Sequence, residues 1–361
     1  MTAAETSAFI NEDMLSKLPG VGDEEVSAGE REMTKQMGRA FFSSLGDKKT
    51  SDTEEIAIPA SVGRYRIFGH KMSPNQPLYK VEDSPEIERT LSCLYDNSGL
   101  EYSMVVASAS SAGVGDKPAA ENERIVFFLS GGGFASSDTP LSKLYYLRLS
   151  KELGMRVFVS RYSTIPDHVF PRGLHDVYTS YNHLLEHCGF QSRNIVFIAN
   201  SAGCNLALGA LQLARMHGRP MPAGCVLVSP LLDLTMTQDS WRRNLDHCVL
   251  PLIPAAEENS FARVYLGPTA SAGDEAFAKQ LRNPLVSPLY CDPAGFPPMQ
   301  IQVGADEVLL DEATELAQRA NTAKVPVELV VYPQQNHHTI LRGKSQLDKV
   351  YGHMKKFTDG L

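Results

Sequence analysis

Four stretches of this chain carry side chains or amides suited to acyl chemistry, and each follows a strand-like run. Ser201 stands in Ala199-Asn200-Ser201-Ala202-Gly203, between the apolar run Ile195–Ala199 and a helical pattern that begins at Ala202. A serine on so sharp a strand-to-helix turn lifts its hydroxyl above a sheet, and the turn is tight enough to demand small neighbours. Ala202 and Gly203 meet that demand, and Ala199 takes the place of a first glycine. The unpaired N–H groups of a helix start face developing negative charge, so the Ala202 N–H suits an oxyanion. Taken alone, the pattern reads equally as a serine N-cap on an ordinary strand-to-helix turn.

The other three stretches supply what a nucleophilic serine lacks. Ser130-Gly131-Gly132-Gly133-Phe134 follows the run Ile125–Leu129, and its glycines let backbone N–H groups approach a substrate closely. A flexible loop is the plain alternative for a glycine run, but this one sits where a second oxyanion loop is expected, after an earlier strand. Asp306, in Gly304-Ala305-Asp306, ends the run Met299–Val303, where a carboxylate can orient an imidazole; Asp311 is expected to cap the helix that follows. His337, in Asn336-His337-His338 after the run Val327–Tyr332, would take the serine proton and return it to a leaving group. The order serine, acid, histidine along the chain, each just after a strand, would bring all three to one edge of a parallel sheet.

Regular elements support that placement. Strand-like runs at Ile125–Leu129, Val157–Ser160, Ile195–Ala199, Cys225–Ser229, Met299–Val303 and Val327–Tyr332 are short and apolar, as strands covered on both faces are. Helical stretches near Pro140–Leu153, Leu174–His187, Ala202–His217 and Glu312–Ala323 alternate with most of them, so the fold is α/β with helices flanking a mostly parallel sheet. Residues 235–285 interrupt the alternation and are expected over the carboxyl edge of the sheet. Residues 24–45 read as an amphipathic helix with Met33, Met37 and Phe41 on one stripe, and 48–55 as a linker. The β-like pieces in 56–109, such as Met104–Ala107, have no evident order, and 110–122 reads as a loop rich in Ser, Gly and Ala.

From about Arg124 to His337 the sequence resembles the hormone-sensitive-lipase-like branch of the α/β-hydrolases. The resemblance is carried by Arg161-Tyr162, by Pro166-Asp167-His168-Val169-Phe170-Pro171 with Leu174-His175-Asp176, by Ser229-Pro230-Leu231-Leu232-Asp233-Leu234, by Ser287-Pro288-Leu289 and by Asp306-Glu307-Val308-Leu309-Leu310-Asp311-Glu312. It implies an α/β-hydrolase fold in which residues 1–55 form a helical cap segment joined by the 235–285 insertion, over a catalytic domain at 56–361. It also implies Ser201 as nucleophile, Asp306 as acid, His337 as base, and the amides of Gly132, Gly133 and Ala202 as oxyanion donors, with Gly131 supporting the turn. His337 is preferred to His338 by its count from Tyr332-Pro333. Three departures stand out: Ser130 replaces the histidine that usually opens the glycine motif, Asn200 replaces an aspartate, and His338-Thr339 replace Gly-Phe.

Composition narrows the remaining choices. Over 361 residues the net charge is −8 with no basic cluster, which disfavours nucleic acid or an anionic membrane as the main partner. The six cysteines form no Cys-x-x-Cys pair, and Cys204 and Cys225 read as small core residues. His183 and His187 are spaced i, i+4, but Leu-Leu-Glu between them is not a zincin arrangement, so no metal or cofactor is expected. The acidic and basic residues among Met1–Gly20 leave no signal-peptide core, and no run of about 18 uncharged apolar residues occurs, making a cytoplasmic location the expectation. The expected function is hydrolysis of a small to medium, fairly apolar ester or lactone. Acyl transfer, lyase or cyclisation chemistry on a specialised metabolite, and a non-catalytic small-molecule receptor, remain as alternatives. The branch often dimerises, so a homodimer belongs to the same set of expectations.

Overall fold

Six of the strands follow from the apolar runs almost residue for residue, because most are buried on both faces and have little choice of where to start. The computed structural model describes residues 104–105, 122–135, 142–160, 162–186, 188–248, 261–267, 274–337, 339–341 and 343–361. The strands are β1 (Met104–Val105), β2 (Ile125–Leu129), β3 (Arg156–Val159), β4 (Ile195–Asn200), β5 (Gly224–Val228), β6 (Met299–Gly304) and β7 (Val327–Tyr332). They form one sheet in the order β1-β3-β2-β4-β5-β6-β7. Neighbours from β3 to β7 are parallel, and β1 adds an antiparallel edge. The expected helix at 24–45 and the 1–55 cap segment lie outside the described residues, as does nearly all of 56–121.

The helices between these strands are α1 (Ser142–Leu153), α2 (Arg172–Glu186), α3 (Ala202–Met216) and α7 (Leu310–Thr322), and α8 (Lys344–Asp359) follows β7. Side chains alternate across the sheet with period two, so a central strand such as β2 feeds two cores. Ile125, Phe127 and Leu129 of β2 pack with α2, α3 and α7, whereas Val126 and Phe128 pack on the other face with α1 and α8. The C-terminal helix α8 was not among the expected elements. It closes the second layer with Leu347, Val350, Tyr351 and Met354, spaced to fall on one helix face. Gln300 of β6 fastens it further, its amide donating to the carbonyl of His353 at 3.0 Å.

The interruption at 235–285 holds α4 (Asp239–Arg243), α5 (Phe261–Leu266) and α6 (Asp274–Leu281). Two contacts tie its described residues to the carboxyl ends of the strands. Phe134, just past β2, stacks between Tyr265 and Phe261 at 3.9 and 5.8 Å. Asn244, after α4, donates its side-chain amide to the carbonyls of Ala305 and Glu307 just past β6, at 3.1 and 2.7 Å. Asp311 is not the cap of α7, contrary to expectation. The helix begins at Leu310, two residues earlier than that cap would set it, with Leu309 at the cap position. The Asp311 carboxylate turns outward instead, accepting the Ser240 N–H at 2.7 Å and pairing with Arg243 at 2.9 Å. Neighbouring α4 offered it a better use than the helix start. Cys204 and Cys225 are fully buried, and burial pushes both thiols well above the usual range, as befits packing residues. Among the described residues no helix is long and apolar enough to cross a membrane.

Candidate active site

The nucleophile's position is set by backbone sterics. Ser201 separates β4 from α3 with φ 52° and ψ −125°, a region that costs a non-glycine residue of order 1–3 kcal/mol. Its N–H donates to Val228 of β5 at 2.9 Å, and its carbonyl accepts from Cys204 N–H at 3.0 Å, so both flanking elements hold the strained residue. Gly203 shows why the next positions are small. A Cβ there would stand 2.3 Å from the carbonyl oxygen of Leu129 and 2.7 Å from that of Ser130. The first turn of α3 is therefore pressed against the end of β2, and only glycine permits it.

That close approach also delivers the glycine loop to the serine. A Cβ on Gly131 would meet the Ser201 Cβ at 2.8 Å. The Gly131 N–H is consumed by the side-chain oxygen of Asn200 at 3.1 Å, so Gly131 supports the turn rather than facing a substrate. Gly132 and Gly133 take φ of 123° and 58°, open to glycine and strained for other residues. Neither of their N–H groups donates to a partner among the described residues. The Ala202 N–H is the first of α3 and has no acceptor within the helix. Ser130, standing where a histidine usually opens this motif, does not leave the loop loose: the Tyr162 hydroxyl donates to its carbonyl at 2.7 Å.

The histidine and its acid come from the ends of β7 and β6. His337 lies with Nε2 3.1 Å from Ser201 Oγ and Nδ1 2.9 Å from a carboxylate oxygen. With Nδ1–H donated to the carboxylate, Nε2 is left to accept the serine proton. The turn that carries it is closed by Asn336 and Thr339, which exchange hydrogen bonds at 2.8 and 3.1 Å, giving Thr339 a part in the loop. His338 lies outside the described residues.

The carboxylate facing His337 belongs to Glu307, not to Asp306 as the sequence reading expected. Asp306 is partly exposed, and its backbone N–H donates to the Gln335 carbonyl at 2.9 Å, which commits that residue to the turn. Gly304 makes the turn tight, since a Cβ there would lie 2.1 Å from the same carbonyl oxygen. Two residues beyond the half-buried Ala305, the chain turns inward. Glu307 is fully buried, with Oε2 on His337 and Oε1 accepting from the Ser229 hydroxyl at 2.6 Å and the Gly304 N–H at 2.7 Å. The side-chain signal for Glu307 was thin: it directly precedes Val308 and Leu309, both fully buried. Ser229 was visible only as part of a motif.

Ser201, His337 and Glu307 thus form a continuous hydrogen-bonded line, beside a glycine loop of which Gly131 lies directly against the serine. Among the described residues no group of three or more His, Cys, Asp or Glu side chains is placed to hold a metal ion.

Comparison with known proteins places this geometry among relatives. The family described as the alpha/beta hydrolase fold matches residues 126–341. An esterase of Acinetobacter venetianus is 31% identical over 216 residues, covering 60% of this chain and 67% of that protein. An acetyl-hydrolase of Streptomyces hygroscopicus is 31% identical over 243 residues, covering 67% of this chain and 77% of that protein. Among solved structures, a hormone-sensitive lipase from a metagenome library superposes with a TM-score of 0.56 at 30% identity, covering 67% of this chain and 79% of the other.

Proposed function

The chain belongs to the α/β-hydrolase fold family, on its hormone-sensitive-lipase-like carboxylesterase branch, and is an ester hydrolase; we propose that it works through an acyl-enzyme on Ser201, with His337 as base and Glu307 as the acid. The observation that carries this reading is the unbroken line Ser201 Oγ, His337 Nε2, His337 Nδ1, Glu307 Oε2, with steps of 3.1 and 2.9 Å.

Ser201 Oγ attacks the ester carbonyl carbon as its proton passes to His337 Nε2. Negative charge moves onto the carbonyl oxygen, where the N–H groups of Gly132, Gly133 and Ala202 receive it. Collapse expels the alcohol, which takes the proton from Nε2, and leaves the acyl group on Ser201. Water then attacks the acyl carbon and gives a proton to Nε2. Release of the carboxylic acid restores the serine hydroxyl. Glu307 stabilises the imidazolium in both halves and fixes which nitrogen carries the proton. The reaction requires no metal or other cofactor.

The substrate is a small-molecule ester or lactone of modest size and apolar character, a reading supported by the esterase and acetyl-hydrolase relatives. The described cysteines are all free thiols, which fits work in a reducing compartment such as the cytoplasm. A panel of p-nitrophenyl esters with Ser201→Ala as control tests the proposal. The expected outcome is a kcat lower by about 10⁴–10⁶-fold with folding unchanged. Turnover that survives the substitution would show that Ser201 is not the nucleophile.

A further inference from the structure

Building on the triad proposed above, we infer that Ser229 is a positioning residue for Glu307: its hydroxyl holds one carboxylate oxygen so that the other stays on His337. A glutamate side chain has one more torsion than an aspartate, and its terminal rotation is broad. Placed in a catalytic line, it needs a brake that a shorter acid would not. Glu307 Oε1 has two donors, Ser229 Oγ at 2.6 Å and Gly304 N at 2.7 Å. Together they fix the carboxylate plane and offset the cost of burying its charge.

The backbone at Ser229 shows that the hydroxyl, rather than the turn, selects this residue. Ser229 follows β5 with φ 48°, where glycine would sit without strain and serine does not. Its N–H donates to the Gln302 carbonyl at 2.7 Å, extending the pairing of β5 with β6 by one step. That bond would serve a glycine equally. The side chain is almost wholly buried and its hydroxyl is aimed at the acid. A strained, buried position is thus occupied by a residue whose one advantage over glycine is the donor it gives Glu307.

Ser229→Gly removes the hydroxyl and relieves the backbone, so a purely structural role predicts an enzyme as good as or better than the parent. Positioning predicts a kcat about tenfold lower or more, with KM within about threefold, because misplacing a reacting group costs rate rather than binding. Ser229→Cys, which keeps the volume and a weak donor, should fall between the two and serves as the readout if the glycine variant folds poorly. The decisive comparison repeats Ser229→Gly in a Glu307→Gln background, where the further loss should shrink below about threefold because no carboxylate is left to hold. Unchanged kcat in Ser229→Gly and Ser229→Cys, or a full additive loss in the Glu307→Gln background, would overturn the role. If Glu307→Gln alone keeps parental kcat, the triad itself is wrong and the inference falls with it; a large loss there beside an inert Ser229→Gly sinks the inference alone.

Discussion

The two halves of the candidate site are built by different means. On the nucleophile side, β2, β4 and the start of α3 approach so closely that backbone atoms decide the geometry. Gly203 lies against the carbonyls of Leu129 and Ser130, Gly131 against Ser201, and Ser201 itself accepts a strained φ. On the acid side, the ends of β6 and β7 are brought together by one such approach, at Gly304, but side-chain hydrogen bonds choose the partners. Glu307 reaches His337 because Ser229 and the Gly304 amide hold its other oxygen, and Asn336 shapes the histidine loop. Backbone contacts leave a residue little freedom and announce themselves as glycines and alanines. Side-chain contacts leave neighbouring residues nearly interchangeable until the structure is seen.

Substitutions on the two sides should therefore fail differently. Gly203→Ala is expected to have the largest effect on stability, because its new Cβ meets backbone rather than a movable side chain. Overpacking usually costs about 1–3 kcal/mol, and here neither β2 nor α3 can give without moving the site. Thermal unfolding and kcat should both deteriorate, the latter by at least about 10²-fold. A stable, active Gly203→Ala enzyme would break the claim that sterics govern this side.

A smaller effect is expected at the strut between the halves. Glu312 of α7 accepts the backbone N–H groups of Leu232 and Asp233, in the segment after β5 whose Leu231 N–H donates to the Ser201 carbonyl. Burial, with the nearby Asp233 charge, pushes the Glu312 carboxyl well above the usual glutamate range, against the pull of the Leu232 and Asp233 N–H groups. The folded protein then keeps a proton that the unfolded chain releases once pH passes the ordinary glutamate value. The native state loses stability as pH rises from there toward the raised value. Glu312→Gln lacks that loss and can still accept both bonds. Its melting temperature relative to the parent should climb as pH rises above the ordinary glutamate range. A difference independent of pH would mean that Glu312 is ionised in the folded state.

The same contrast explains what could be read from the chain. Strands β2 and β7 match their apolar runs residue for residue, and the other parallel strands shift by one residue at most at either end; burial on both faces gives the inner strands a dense apolar signal, whereas β7, half-buried at the sheet edge, was legible from its valines and leucine. The Ser201 turn and the glycine loop were legible for the steric reasons given above. Helix α8 went unread although Leu347, Val350, Tyr351 and Met354 carry helical spacing; Asp348, Lys349, Gly352 and His353 between them dilute the pattern. Asp306 and Glu307 were inseparable by residue type, since either carboxylate at the end of β6 suits an imidazole. What separates them is how tightly the chain turns after Gly304, and that depends on Gln335 in a distant loop.

The most direct test compares Asp306→Asn with Glu307→Gln, two equally conservative changes one residue apart. With a short-chain p-nitrophenyl ester, Glu307→Gln should lower kcat by about 10³–10⁴-fold through loss of the charge and tautomer control on His337. Asp306→Asn should stay within about threefold of the parent, and neither change should lower the melting temperature as Gly203→Ala does. A crippled Asp306→Asn enzyme beside an active Glu307→Gln one would contradict the account.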